Sequence, residues 1–319
     1  MLTILAVTGP IYIAIALGYL CTRFGLFARA DMRVLGKFVL YVALPALLFN
    51  ALSKRSVSEI VEWRYLAVSG LGSLATMGLG LLWARRFAGQ GATASVYYAM
   101  GMSCPNSGFV GYPIMLLTLG PVAGVILGLN MVVENLLLIP LLLALAEASS
   151  GGGHWRAVLR STVLGLVRNP MVIGLAAGVV VALLRIPVPA PIDRTVTMFA
   201  NASAALSLFF IGGSLAGLQL KGMGPQVAQI AAGKLIVHPL LVFAALHLIE
   251  ALGVPPMDPV LRTGVVLTAA SPMLGIYPIL AQRHGHDGLA AATLLGTTVT
   301  SFFTISALLW ALGGVPVGA

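Results

Sequence analysis

Two short stretches hold most of the residues whose types and spacing could do chemistry. They are SCPNSGFVGYPI at 103–114 and SPMLGIYPI at 271–279. Each sits inside a run of apolar residues, yet each is rich in helix breakers. The first offers Pro105, Asn106 and Ser107, with Gly108, Gly111 and Pro113 behind them. The second offers Ser271, Pro272 and Met273, with Gly275 and Pro278 behind them. Proline removes an N–H and ends a helix. The half-helix that restarts after a break presents free N–H groups with partial positive charge, which suits an anion. The Asn106 amide can donate to a carboxylate and accept from a hydroxyl. It can equally cap the helix that follows, and both roles stay open. The chemistry on offer is reversible anion binding rather than bond making. The plainer alternative is an ordinary proline kink, common in membrane helices. Two matching clusters in one chain argue against it.

Titratable residues are few. Glu134, in NMVVENLLLIP, is the one acid deep in an apolar run, and Asn130 lies four residues earlier on the same helix face. An acid inside a membrane is a functional candidate by default, and one that exchanges a proton fits a proton carrier. The plainer reading is a structural acid that donates one hydrogen bond. Lys234 and His238, in KLIVHP, are one turn apart. The ammonium can neutralise a half-helix C-terminus, attract an anion, or reach along its stem to the interface. His238 reads first as a packing histidine. Thr297 and Ser301 share a helix face and can line a polar path, although most hydroxyls in membranes bond their own backbone. The HGHD run at 284–287 reads as a solvated loop, and no metal site is expected there. Gly70, Gly72, Gly78, Gly80, Gly212, Gly213 and Gly217 read as close-packing positions.

These residues need a frame. The chain has 319 residues, 59% hydrophobic and 8% charged, with net charge +9 and mean hydropathy +1.01. Soluble domains carry about a quarter charged residues, so this is an integral membrane protein. Apolar runs near twenty residues indicate helices rather than barrel strands. No basic tract points to nucleic acid. Cys21 and Cys104 give no disulfide framework. The N-terminal run lacks a basic n-region and cleavage site and reads as a retained span.

Ten spans are expected, at roughly 2–20, 34–52, 65–84, 94–118, 121–146, 168–185, 195–219, 226–249, 261–281 and 288–313. Loops after odd-numbered spans hold eleven Lys and Arg against six on the other side. That asymmetry places the odd-side loops in the cytoplasm and both termini outside. The longest loop, 147–167, is read as a cytoplasmic linker between halves 1–146 and 168–319. Five spans per half require opposite orientations. The expected fold is thus all-α, with ten transmembrane helices in two inverted five-helix repeats and broken, crossing helices 4 and 9. Paired interruptions of this kind point to a transporter binding site.

Several stretches carry a resemblance: LPALLF at 44–49, NSGFVGYP at 106–113, RNP at 168–170, ANASAALSLFFIGGSLAG at 200–217, KLIVHP at 234–239 and SPMLGIYP at 271–278. Together they resemble the auxin efflux carrier family, in its bacterial, malonate-permease-like branch, over nearly the whole chain. The resemblance implies a fold shared with bile acid–sodium symporters and sodium–proton antiporters. It implies a scaffold of spans 1, 2, 6 and 7 and a crossover domain of spans 3–5 and 8–10, with elevator-like alternating access. It also implies small organic anion substrates and a homodimer. One departure is that Met273 stands where the first crossover has Asn106, with Ser271 as the nearest polar substitute.

The reading is therefore a secondary transporter of small organic carboxylates, such as malonate or an auxin-like acid, in a bacterial plasma membrane. Its partners are the anion and the lipid bilayer. No cofactor is expected. Glu134 favours protons over sodium as the coupling ion, because SPMLGIYP carries no acid. A sodium-coupled organic anion symporter is the alternative within the class. A ligand-binding receptor is the alternative outside it. No HExxH or GxSxG supports an enzyme, and no P-loop supports direct drive by ATP.

Overall fold

The computed structural model describes residues 2–55, 62–151, 155–217 and 224–312. It is all-helical apart from one isolated backbone bridge. In chain order the helices are α1 Leu2–Arg23, α2 Arg29–Ser53, α3 Trp63–Arg86, α4 Ala92–Ser103, α5 (107–119), α6 (123–149), α7 Trp155–Leu166, α8 Pro170–Leu184, α9 Ala190–Leu215, α10 Gly224–Ala251, α11 Pro259–Ala270, α12 Tyr277–Gln282 and α13 Asp287–Ala311.

The expectation of ten spans in two inverted repeats is corrected here. Among the described residues, six segments are long and apolar enough to cross a membrane. A seventh arises if α7 and α8, bent by 52° at their junction, count as one. The reason is that hydropathy counts apolar residues and ignores helix continuity. The apolar run at 94–118 is cut after Ser103, and the run at 261–281 is cut after Ala270. Ser107–Ser149 instead passes as one 43-residue segment, interrupted at Gly120, whose φ of 66° no helix adopts. Within the expected linker 147–167, residues 155–166 are helical and 152–154 lie outside the described residues. So does Lys221, one of the cations used to orient the chain.

The core is largely apolar, yet large apolar side chains are also exposed and several polar ones are buried. Met198, Trp310, Phe303 and Leu240 are exposed, whereas Asn106, Asn130, Glu134, Lys234 and His238 are buried. That pattern suits a lipid surround, where apolar side chains need no burial and buried polar ones must find partners. Helix contacts rest on small residues. A Cβ on Gly212 of α9 would come within 1.8 Å of the Ile15 carbonyl on α1, and one on Gly72 of α3 within 2.6 Å of Val242 on α10. A Cβ on Gly78 would meet nothing within 4 Å, so that glycine is no packing position. Two groups of helices result. In one, α1 packs on α9, α8 on α2, and α2 on α9. In the other, α3 packs on α4 and α10, α4 on α6, and α10 on α11 and α13.

Among the described residues, four π-helical turns interrupt the helices, at Val39–Ala43, Ser107–Gly111, Val133–Leu138 and Gly233–Val237. Each ends two residues before a proline: Pro45, Pro113, Pro140 and Pro239. The cause is local. Proline has no N–H and its ring crowds the carbonyl one turn back, and a wider turn relieves that crowding. Three of the turns carry Ser107, Glu134 and Lys234.

Gly212→Leu should force α1 and α9 apart at a backbone contact. The expected cost is about 1–3 kcal/mol or more, read as a lower unfolding midpoint in detergent. An unchanged midpoint would show that α1 does not pack there.

Candidate functional site

The two broken stretches meet. Pro105 and Met273 form an antiparallel bridge. The Asn106 N–H donates to the Pro272 carbonyl at 2.8 Å, and the Leu274 N–H donates to the Cys104 carbonyl at 3.0 Å. Each break therefore satisfies backbone groups that the other exposes, which non-helical chain at membrane depth requires.

Asn106 can be accounted for atom by atom. Its carbonyl accepts from the Gly111 N–H at 2.8 Å. Its Oδ1 accepts from the Phe109 N–H at 3.2 Å, capping α5. Its Nδ2 is buried with no partner. Leaving such a donor unpaired costs about 1–3 kcal/mol. Gly275 keeps the space beside it open, since a Cβ there would lie 3.3 Å from Nδ2.

Asn106 lines a cavity of about 300 Å³. Gly108, Phe109, Leu274 and Gly275 come from the paired breaks, and Met131, Glu134 and Asn135 from α6. Leu40 and Tyr41 come from α2, and Arg168, Asn169 and Pro170 from the α7–α8 turn. The Ser107 hydroxyl donates to the Glu134 carboxyl, joining the first break to α6. Asn106, Glu134 and Arg168 thus line one small cavity.

The other expected residues lie elsewhere. Pro105, Pro272 and Met273 serve the backbone bridge. The Ser271 hydroxyl donates to the Thr268 carbonyl at 2.7 Å and does not line the cavity. Gly111 lies against the Asn106 carbonyl, where a Cβ would come within 3.2 Å. Pro113 and Pro278 sit in the first turns of their short helices. Thr297 and Ser301 donate to the carbonyls of Thr293 and Thr298 at 2.8 and 2.7 Å, and Ser301 also meets the Tyr12 hydroxyl at 3.0 Å.

Asn130 belongs to one further buried polar group, and Lys234 and His238 to another. Asn130 Nδ2 donates to the Tyr65 hydroxyl at 2.6 Å and to the Ile126 carbonyl at 2.9 Å. Lys234 Nζ donates to the Ala269 carbonyl at 2.5 Å, at the C-terminal end of α11, and to His238 Nδ1 at 3.0 Å. With Nδ1 accepting, the neutral imidazole carries its proton on Nε2 and donates to Ser73 Oγ at 3.0 Å. The ammonium is placed to offset the negative end of α11.

The HGHD run is not a free loop. His284 Nδ1 lies 2.8 Å from the Tyr97 hydroxyl and its Nε2 lies 3.9 Å from Glu147. Partial burial, then the neighbouring His284, hold the His286 imidazole below its ordinary value.

Sequence reasoning missed Asn135, Arg168 and Asn169 as cavity residues. Asn169 was the findable one, because Asn before Pro at a helix start is a cap pattern. Its Oδ1 accepts from the Met171 N–H at 2.9 Å, and its Nδ2 donates to Asn135 Oδ1 at 3.3 Å.

Comparison with known proteins adds the class. Residues 4–311 match the family Mem_trans, described as membrane transport protein. The chain is 30% identical over 318 residues to a Rhizobium meliloti (strain 1021) protein named "Putative malonate transporter", covering 96% of each chain. It is 25% identical over 245 residues to "Uncharacterized transporter YfdV" of Escherichia coli (strain K12), covering 75% of this chain and 78% of that one. It is also 31% identical over 106 residues to an "Uncharacterized transporter" of Methanothermobacter thermautotrophicus, about a third of each.

Lys234→Met should leave the Ala269 carbonyl buried without its donor, at a cost of about 1–3 kcal/mol. The measurement is the unfolding midpoint in detergent, expected to fall by several degrees. A midpoint equal to wild type would remove Lys234 from the support of α11.

Proposed function

The chain belongs to the Mem_trans family of membrane transport proteins, and on that premise we propose that it carries a small organic carboxylate anion by alternating access. The carrying observation is that Asn106, whose buried Nδ2 has no hydrogen-bond partner, is one of the residues lining a cavity at the paired breaks. A carboxylate oxygen is the partner that donor lacks, and a charge-assisted hydrogen bond of this type is among the stronger ones. The cavity is at the small end of ligand sites, which run from about 300 to 1,000 Å³. That size favours a substrate of few heavy atoms, in line with the malonate in the name of one relative.

Glu134 supplies the coupling in this reading. An ionised Glu134 and a bound carboxylate in one cavity repel each other, so the anion is best held when Glu134 carries a proton. The Ser107 hydroxyl tethers that carboxyl to the first break, so proton and anion act on the same piece of chain. Transport then couples to a proton gradient. The paired breaks move together with α3, α4, α6, α10, α11 and α13, against a body of α1, α2, α8 and α9.

The test is counterflow in proteoliposomes. Asn106→Asp keeps an acceptor for the Phe109 N–H but loses the donor and adds like charge. It should lower carboxylate exchange at least tenfold while the protein stays folded. Full exchange in that variant would reduce Asn106 to a helix cap. Glu134→Gln should keep exchange and lose uptake driven by an imposed pH gradient. If a pH gradient drives mutant and wild type equally, Glu134 is not the coupling group.

A further inference from the structure

We propose that Arg168 is a specificity-determining residue of this cavity, forming a second anion subsite at its mouth, so that the carrier selects dicarboxylates over monocarboxylates. The inference rests on the carboxylate reading above and goes beyond it in naming a second point of attachment.

Depth separates the two donors. Asn106, in the paired breaks, is 1% exposed, whereas Arg168, in the α7–α8 turn, is exposed. Both line the same cavity. In this proposal Asn106 marks the floor of the cavity and Arg168 its mouth. A substrate with one carboxylate satisfies the floor only. A short dicarboxylate can satisfy both ends.

The amides beside Arg168 are already engaged, which leaves the guanidinium and the Tyr41 hydroxyl as lining donors with no partner among the described residues. The Asn169 amide is used at both atoms, by the Met171 N–H and by Asn135. Asn135 Nδ2 donates to the Met131 carbonyl at 2.9 Å. The start of α8 offers little, because Pro170 has no N–H and the Met171 N–H is taken. The Arg168 side chain has no hydrogen-bond or ion-pair partner among the described residues. A planar guanidinium accepts a carboxylate through two parallel hydrogen bonds, which a lysine cannot reproduce.

Glu134 is the one acid among the described residues that line the cavity. A monoanion held at the floor puts no acceptor against the guanidinium, whereas a second carboxylate can meet it through two parallel hydrogen bonds.

The experiment compares malonate with acetate in counterflow, in wild type and in Arg168→Gln and Arg168→Lys. Arg168→Gln should raise the KM for malonate about tenfold or more and leave that for acetate within twofold. Arg168→Lys should recover part of the malonate affinity. A general weakening of the site would instead move both acids together, and that result, or no change for either, overturns the proposal. Should Arg168→Gln not fold, monomethyl malonate tests the same point on wild type. Esterification removes one charge without altering the protein, and the ester should compete at least tenfold less well than malonate. Equal competition overturns the second subsite. Wild type that exchanges acetate but not malonate overturns it while keeping the carboxylate carrier. Wild type that exchanges neither overturns both readings.

Discussion

The backbone pairing between residues 104–106 and 272–274 is the constraint on which the rest of the structure depends. Ser103 to Met115 and Val265 to Met273 are buried throughout. An extended strip of chain in such surroundings has no water to bond, and each orphaned N–H or carbonyl costs several kcal/mol. Two strips remove the difficulty for each other through two hydrogen bonds across one bridge. Neither break is stable without its partner, so the helices attached to them are tied together. Any motion of this region has to move both breaks as one body, because separating them would restore every unpaired group at once.

The prolines explain why chemistry collects around that bridge. Each of the four π turns among the described residues lies just before a proline. A π turn carries one extra residue per turn and rotates the side chains that follow it. Ser107 and Glu134 lie on two such turns and reach each other across the gap between α5 and α6. Lys234 lies on a third and reaches the end of α11. The prolines therefore act twice. They set where the helix widens, and by doing so they aim the few ionisable side chains of the membrane interior.

Much of this was legible in the sequence and some was not, for reasons that differ by residue. The stops at Ser103 and Ala270 follow from Pro105 and Pro272, because proline acts on its own neighbours. The depth of Glu134 and Lys234 follows from the apolar residues around them. The number of spans was misread because hydropathy sums over windows, and a window does not register that Ser107–Ser149 is one segment or that α11 stops at Ala270. Ser271, Thr297 and Ser301 were read as candidate site hydroxyls, yet each donates to a carbonyl three or four residues back on its own chain. One sequence cannot tell such a hydroxyl from one that faces a cavity. Arg168 was counted only as a loop cation, since nothing local says that its turn folds against α6 and the first break.

The polar interior divides into groups that are spent and groups that are not. The Asn130 amide is surrounded by Tyr65, Ile126, Thr268 and Ser69. Lys234 and His238 complete a chain from Ala269 to Ser73. Such a network is satisfied within itself, and in a low-dielectric interior satisfied networks rigidify what they join. The cavity differs in kind. Asn106 keeps one donor unspent, and the Arg168 guanidinium has no partner among the described residues. Asn106 Nδ2 shares this state with other buried polar atoms, Tyr98 Oη and Ser207 Oγ among them, and differs from those two in belonging to a residue that lines the cavity. The hydrogen-bonded groups hold α3, α6, α10 and α11 in place around the breaks, whereas Asn106 lies in the first break itself and Arg168 in the turn between α7 and α8, outside those helices.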